Sequence, residues 1–212
     1  MSNQYCKICF NKIAENDIYY FFNKGFCLCK NCMDNLKPKF KNFRIEDCFG
    51  LSIFEYDENI RDLLFKLKGC FDIEMATVFL ERYKKEFGWL YGNYICIPAP
   101  SSEEDDRRRQ FNHVIEIFKE MGIPILPCIK KITKHKQSDQ SFEQRKEILK
   151  YLKIDGKAPI KNKKILIIDD VLTTGSTIKA MISLIKPFKP KKIKVLVMSR
   201  TIYKDARTTI KK

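Results

Sequence analysis

Apolar residues along the chain recur in two alternating rhythms. Short runs at strand spacing, at Leu51–Tyr56, Tyr94–Ile97, Ile125–Ile129, Ile165–Ile168 and Ile193–Met198, are separated by stretches with the i, i+3, i+4 spacing of amphipathic helices. The helical stretches are Asn59–Leu67, where Ile60, Leu63, Leu64 and Leu67 share one face, residues 73–87, about Arg108 to Met121, and Ser176–Ile185. Lys68 and Gly69 end the first helix, Pro98 and Pro100 stop the second strand, and Pro187 and Pro190 close the last helix. Residues 132–146 are polar and read as a loop. Strands alternating with helices predict an α/β domain with a mainly parallel sheet. The wholly apolar run Ile165–Ile168 suits its centre, where both faces are covered. The pattern starts near Ile45 and runs to the C-terminus, so residues 45–212 are expected to form this domain and residues 1–44 a small module with its connector, LKPKFKNFR around Pro38.

The apolar run Ile165–Ile168 leads directly into Asp169 and Asp170, at the carboxyl end of a predicted strand, where open α/β sheets bind ligands. Adjacent carboxylates there are costly unless something pairs with them. The turn that follows, Thr173, Thr174, Gly175, Ser176 and Thr177, offers hydroxyls, backbone N–H groups and a helix N-terminus, which together favour a phosphate dianion, and Gly175 permits close approach. A ribose 5-phosphate satisfies both halves: the carboxylates accept from its 2′ and 3′ hydroxyls while the turn holds its phosphate. An ordinary N-capped helix would explain the threonines but not the aspartates. No GxGxxG or GxxxxGK[ST] run occurs, so dinucleotide and P-loop readings have no support.

Five of the nine cysteines fall within the first 32 residues. CKIC at 6–9 and CKNC at 29–32 are two CxxC knuckles with the spacing of a tetrahedral four-cysteine zinc ribbon, its ligands Cys6, Cys9, Cys29 and Cys32. Cys27 also stands close; Cys29 is preferred because it completes a second CxxC, whereas Cys27 would need a CxxxxC span. In so short a segment the metal would supply much of the folding free energy. Cys48, Cys70, Cys96 and Cys128 lie among apolar neighbours and are expected to act as small core hydrophobes.

The composition is that of a globular chain of 212 residues, 44% hydrophobic and 32% charged, with no apolar stretch near the roughly 20 residues of a membrane span. The N-terminus carries a cysteine pair where a signal peptide would place its basic and apolar regions, so a cytoplasmic location is expected. The net charge of +15 is concentrated: residues 150–212 hold 17 Lys and Arg against 4 Asp and Glu. Such a field attracts polyanions, although a lysine-rich solvated surface has the same composition. Lys161, Lys163, Lys164, Lys191, Lys192 and Lys194 flank two predicted strands and are the candidate contacts for single-stranded DNA, with their patch expected beside the phosphate turn.

Over its whole length ILIIDDVLTTGST, residues 165–177, resembles the signature with which type I phosphoribosyltransferases bind phosphoribosyl pyrophosphate (PRPP). That resemblance implies that Asp169 and Asp170 hold the ribose and that Mg²⁺ bridges ribose hydroxyls and pyrophosphate. FKLKGC at 65–70 resembles the pyrophosphate loop of the same family, with Lys68 and Gly69 as the matching residues, although a lysine before a glycine also ends helices. A four-cysteine ribbon ahead of such a domain resembles the ComF (competence protein F) family of DNA-uptake proteins. RRRQFNH at 107–113 is similar to its RRxRGFNQ stretch and QSDQSFEQR at 137–145 to its Q-then-ER stretch, with Gln110 where a glycine is expected and Ile148 where an asparagine is expected. Arg107, Arg108 and Arg109 can clamp pyrophosphate or DNA phosphates, or answer the acidic run Glu103–Asp106 on their own helix. His113 and His135 read as surface or packing residues, and Trp89 and most phenylalanines as core rather than base-stacking residues.

Three functions follow. The family resemblance implies a cytosolic, zinc-bearing protein that binds PRPP and single-stranded DNA and works with the DNA-uptake machinery of natural transformation. A metabolic phosphoribosyltransferase, passing ribose 5-phosphate from PRPP to a nitrogen nucleophile, is the alternative. Thr173 weighs against purine salvage, since 6-oxopurine enzymes of this fold carry an aspartate there. A PRPP-sensing regulator would need a DNA-reading element, and none is evident in the sequence.

Overall fold

The computed structural model describes residues 5–13, 26–132 and 151–201. Its frame is a five-stranded sheet in the order β1-β2-β7-β6-β3, built from β1 (Lys41–Ile45), β2 (Cys48–Glu55), β3 (Ile95–Pro98), β6 (Lys164–Leu172) and β7 (Lys192–Arg200). All pairings are parallel except the β1–β2 hairpin. A separate antiparallel pair joins β4 (Ile129–Lys131) to β5 (Leu152–Ile154).

Strand alternation divides the core in two. On one face Leu166, Ile168, Leu196 and Met198 pack beneath α2 (Glu58–Lys68), the 3₁₀ segment Ile73–Val78, α3 (Lys84–Tyr91) and α5 (His113–Phe118). Ile165, Ile167, Val195 and Val197 point to the other face, against α6 (Ser176–Ile185) and the β4–β5 pair. The four residues Ile165–Ile168 are fully buried, each burial contributing about 1.5–3 kcal/mol.

The cysteine module is not a separate bead. Cys6, Leu28, Cys32, Met33 and Leu36, the last two at and beyond the short helix α1 (Lys30–Asn35), belong to the same apolar cluster as Leu63, Met75 and Leu80. Strand β1, within the residues read as a connector, is the edge of the main sheet, pairing from Lys41↔Ser52 to Ile45↔Cys48.

Four expectations are corrected. The helix expected over 73–87 is a 3₁₀ segment, a turn that buries Phe79 and Leu80, and then α3. The helix from Arg108 to Met121 is interrupted: α4 (Glu103–Arg109), capped by the Ser102 side chain, ends at Gln110, and α5 starts after Asn112. Of the strand expected over 125–129, Ile125 makes only an isolated bridge to Cys96, and Ile129 opens β4. Trp89, at 88% exposed, and Cys70 are on the surface rather than in the core, while Cys48, Cys96 and Cys128 are buried as expected. QSDQSFEQR, with His135 and Ile148, lies outside the described residues.

Candidate functional site

An open cleft of about 380 Å³ lies at the carboxyl ends of β3 and β6, lined by Asp169, Asp170, Lys68, His113, Arg109 and Thr177 among others. β6 continues through the acidic pair because β7 keeps pairing with it, at Asp169↔Val197 and Val171↔Ser199, after the apolar run has ended. The Ser199 hydroxyl donates to the Asp170 carbonyl at 3.2 Å, a buried bond that pins the strand at this point.

Asp170 is 7% exposed, and its carboxylate is held from both sides. Lys68, the last residue of α2, forms an ion pair with Oδ2, and His113 Nε2, at the first turn of α5, stands 3.3 Å from the same oxygen. Oδ1 accepts the Val171 N–H at 2.8 Å. Burial would push this carboxyl up, but His113 and Lys68 outweigh it and hold Asp170 well below the usual carboxylate range. Asp169 moves the other way: burial, and then the charge of Asp170, raise it well above that range. One carboxylate of the pair is therefore firmly ionised, while its neighbour resists ionisation until something cationic or hydrogen-bonding arrives.

His113 is the cleft residue that sequence reasoning missed. It is buried, as a packing residue would be, but against a carboxylate 57 positions away, and only its place in the RRRQFNH stretch could have drawn notice. Arg109 pairs with Asp106 on its own helix at 3.0 Å, which is the intrahelical alternative, yet it also lines the cleft. Arg109 Nε and His113 Nδ1 are buried without a hydrogen-bond partner among the described residues, leaving two polar atoms of the wall unused. Arg108 instead lies over the Phe71 ring, 5.3 Å from its centroid. Gln110 has φ 65°, the left-handed region that suits the glycine expected in this position.

The turn after β6 runs through exposed Thr173 and Thr174 to Gly175, which has φ 74° and caps α6. A Cβ at Gly175 would come within 2.7 Å of the tip of the Ile45 side chain, which can shift, so the left-handed conformation is what requires glycine. The hydroxyls of Thr174 and Ser176 lie 2.9 Å apart over the helix N-terminus. Gly69 has an ordinary helical conformation and follows Lys68 at the end of α2.

The sulfur atoms of Cys6, Cys9, Cys29 and Cys32 all lie within 4.8 Å of one another, and Cys9 Sγ is 3.6 Å from Cys29 Sγ. Four thiolates at the usual 2.3 Å around a tetrahedral zinc stand about 3.8 Å apart, so the cluster fits that ion. Burial pushes the Cys6 thiol up, but the N–H groups of Cys29, Cys9 and Ile8 prevail and bring it down to about 7, while burial and the neighbouring sulfurs push Cys32 up. Cys27 is outside the cluster, with its sulfur 3.6 Å from the Thr77 hydroxyl.

Lys161, Lys163, Lys164, Lys191, Lys192 and Lys194 do come together, since Lys164 pairs in register with Lys192 and Leu166 with Lys194. They gather at the amino ends of β6 and β7, not beside the phosphate turn. The five residue steps from Lys164 to Asp169 span about 17 Å along the strand, so the patch and the cleft are at opposite ends of the sheet. Lys164 and Lys194 lie over the Tyr94 ring, 5.7 and 5.8 Å from its centroid, whereas Lys161, Lys163, Lys191 and Lys192 are exposed.

A mostly parallel sheet with an acidic pair and a glycine-bearing phosphate turn at its carboxyl end defines a type I phosphoribosyltransferase fold, and residues 111–209 match the phosphoribosyl transferase domain family. With the four-cysteine cluster ahead of that domain, the chain is similar in layout to ComF-family proteins. Competence protein ComFC of Streptococcus pneumoniae is 26% identical over 203 residues, covering 92% of this chain and 86% of that protein. Among solved structures, the hypoxanthine phosphoribosyltransferase of Staphylococcus aureus is 14% identical, over 63% of this chain and 76% of its own, at a TM-score of 0.41. That of Trypanosoma cruzi is 11% identical, over 65% and 88%, at 0.42. No described helix is long and apolar enough to cross a membrane.

Proposed function

We propose that the protein is a cytoplasmic competence factor that binds PRPP with Mg²⁺ in the cleft, binds single-stranded DNA on its lysine patch, and supports DNA uptake in natural transformation. The observation that carries the first part is the pairing of Asp170 with Lys68 and His113 at the end of β6, one strand end away from a left-handed glycine that opens a helix. Asp169 and Asp170 would accept from the ribose hydroxyls, and Thr173, Thr174, Gly175, Ser176 and Thr177 would hold the 5′-phosphate. Lys68, with Gly69 behind it, would turn from Asp170 toward the pyrophosphate, and Arg109 and Lys131 on the cleft wall add positive charge there. The carboxylate of Asp170 is already engaged, so Mg²⁺ fits best as an ion that arrives on the oxygens of PRPP. When bound it neutralises pyrophosphate charge. The four clustered cysteines would hold one structural zinc.

Support for the DNA part is the run of exposed like charges at the amino ends of β6 and β7, together with the similarity to ComFC. Calorimetry with PRPP in the presence and absence of Mg²⁺ tests the cleft, and Mg²⁺-dependent binding is the expected result. Absence of binding under both conditions removes the PRPP reading. A parallel assay for pyrophosphate release over a panel of bases and amines separates the two functions: release with one acceptor identifies a metabolic phosphoribosyltransferase, and no release leaves a binding role.

A further inference from the structure

Glu81 stands between the cysteine module and the cleft. It is 3% exposed, and both its carboxylate oxygens are engaged. Oε1 accepts the Cys27 N–H at 3.0 Å, a buried bond, and Oε2 meets the Lys84 ammonium at 3.2 Å. Lys84 reaches on to Glu120 at 3.7 Å, in the 3₁₀ turn Lys119–Met121 that follows α5. From the cysteine side Lys7, between Cys6 and Cys9, pairs with Glu74 at 2.7 Å and donates to the Thr77 hydroxyl at 3.0 Å.

Glu74 and Thr77 belong to the 3₁₀ segment Ile73–Val78, which packs against both α2 and α5. These two helices carry the groups on Asp170 Oδ2: α2 ends at Lys68 and α5 begins with His113. A short 3₁₀ segment has poorer internal hydrogen bonds than an α-helix, so its placement depends on what it packs against. A buried carboxylate is costly unless fully paired, and its removal would leave the Cys27 N–H without an acceptor.

We infer that Glu81 is a positioning residue that bolts the cysteine module to the segment holding α2 and α5, and so fixes Lys68 and His113 against Asp170. Its consequence for ligand affinity rests on the proposed PRPP reading; its consequence for the His113–Asp170 contact does not. The chain has two histidines, His113 and His135, so NMR of the imidazole ring protons reports the contact directly, with His113→Gln assigning the signals. In the full-length protein, Glu81→Ala is expected to move the His113 ring signals while leaving those of His135 in place. Glu81→Gln, which keeps an oxygen for the Cys27 N–H, should return them most of the way. Mg²⁺-dependent PRPP affinity should fall about three- to tenfold in Glu81→Ala, the range of such indirect couplings. His113 signals that superpose on wild type in a folded Glu81→Ala protein overturn the inference. Should that variant not fold, Lys84→Met takes its place, because it removes the partner of Glu81 Oε2 and the reach to Glu120 while Oε1 keeps the Cys27 N–H, and unmoved His113 signals there overturn the inference equally. If wild type binds no PRPP, the proposed function fails and the NMR measurement still decides this inference.

Discussion

The two ends of β6 carry opposite charges under opposite conditions, and β7 adds its lysines to the basic end. At the carboxyl end of β6 the charge is negative and largely buried, and a lysine and a histidine already hold it. At the amino ends it is positive, mostly exposed, and no ion pair satisfies Lys161, Lys163, Lys191 or Lys192 among the described residues. Enclosed, pre-paired charge recognises one ligand whose groups can replace the partners, whereas an open row of solvated like charges recognises any polyanion. One pair of strands thus carries an enclosed, pre-paired acidic end and an open basic end about 17 Å apart along β6.

The largest effect should come from a change at neither end. Replacing Cys6 and Cys32 with Ser is expected to remove the metal and lower the melting temperature by roughly 10 °C or more, taking both binding activities with it, because the module shares the core beneath α2. Metal analysis and a thermal melt check this, and a stable, zinc-loaded variant would break the ribbon. Next, Asp169→Asn with Asp170→Asn should weaken Mg²⁺-dependent PRPP binding by about 100-fold or more, since neutral amides lose the charge-assisted contacts, while DNA binding stays unchanged. Unchanged PRPP affinity in the folded double variant would sink the site. The mirror experiment places Glu at Lys163, Lys164, Lys191 and Lys192. Single-stranded DNA binding should drop about tenfold or more, with a salt slope shallower by about 0.7 for each lost contact, and PRPP affinity should hold; equal DNA binding at an equal slope would move the interface elsewhere.

The smallest effect concerns stability. The Asp169 carboxyl is raised by burial and by Asp170, so the fold favours its protonated form, and the stability that form contributes is present below the ordinary carboxylate range and lost as pH rises through the raised value. Asp169→Asn imitates the protonated group. It should melt above wild type near pH 8 by a few degrees, with the gap closing toward about pH 4, and a gap independent of pH would show that the pair is not strained.

Much of this was legible in the sequence. The acidic pair and its turn were readable because strand, charges and glycine are contiguous, and the CxxC knuckles because ligand spacing is local. The parallel sheet followed from alternating periodicities. What was not legible depends on partners distant in sequence. Nothing near His113 announces Asp170, and nothing near Cys27 announces Glu81. β1 was hidden because the polar, basic residues of an exposed edge read as a connector. The break between the 3₁₀ segment and α3 carries no glycine or proline; burial of Phe79 and Leu80 imposes it. The lysines were gathered correctly, but which end of the sheet they occupy follows from strand direction, which places residues before an apolar run opposite those after it.

The strand order has a consequence for how the protein is made. β7, the last described element in chain order, lies between β2 and β6, pairing Phe49 with Lys194 and Ile165 with Ile193. During synthesis the β1–β2 hairpin and β6 must therefore wait, edges open, until β7 has left the ribosome. Pairings this distant in sequence close slowly and leave apolar strands exposed to aggregation meanwhile. All four clustered cysteines lie within residues 6–32, so a metal held there would be captured before the sheet closes and would give the nascent chain its first fixed point.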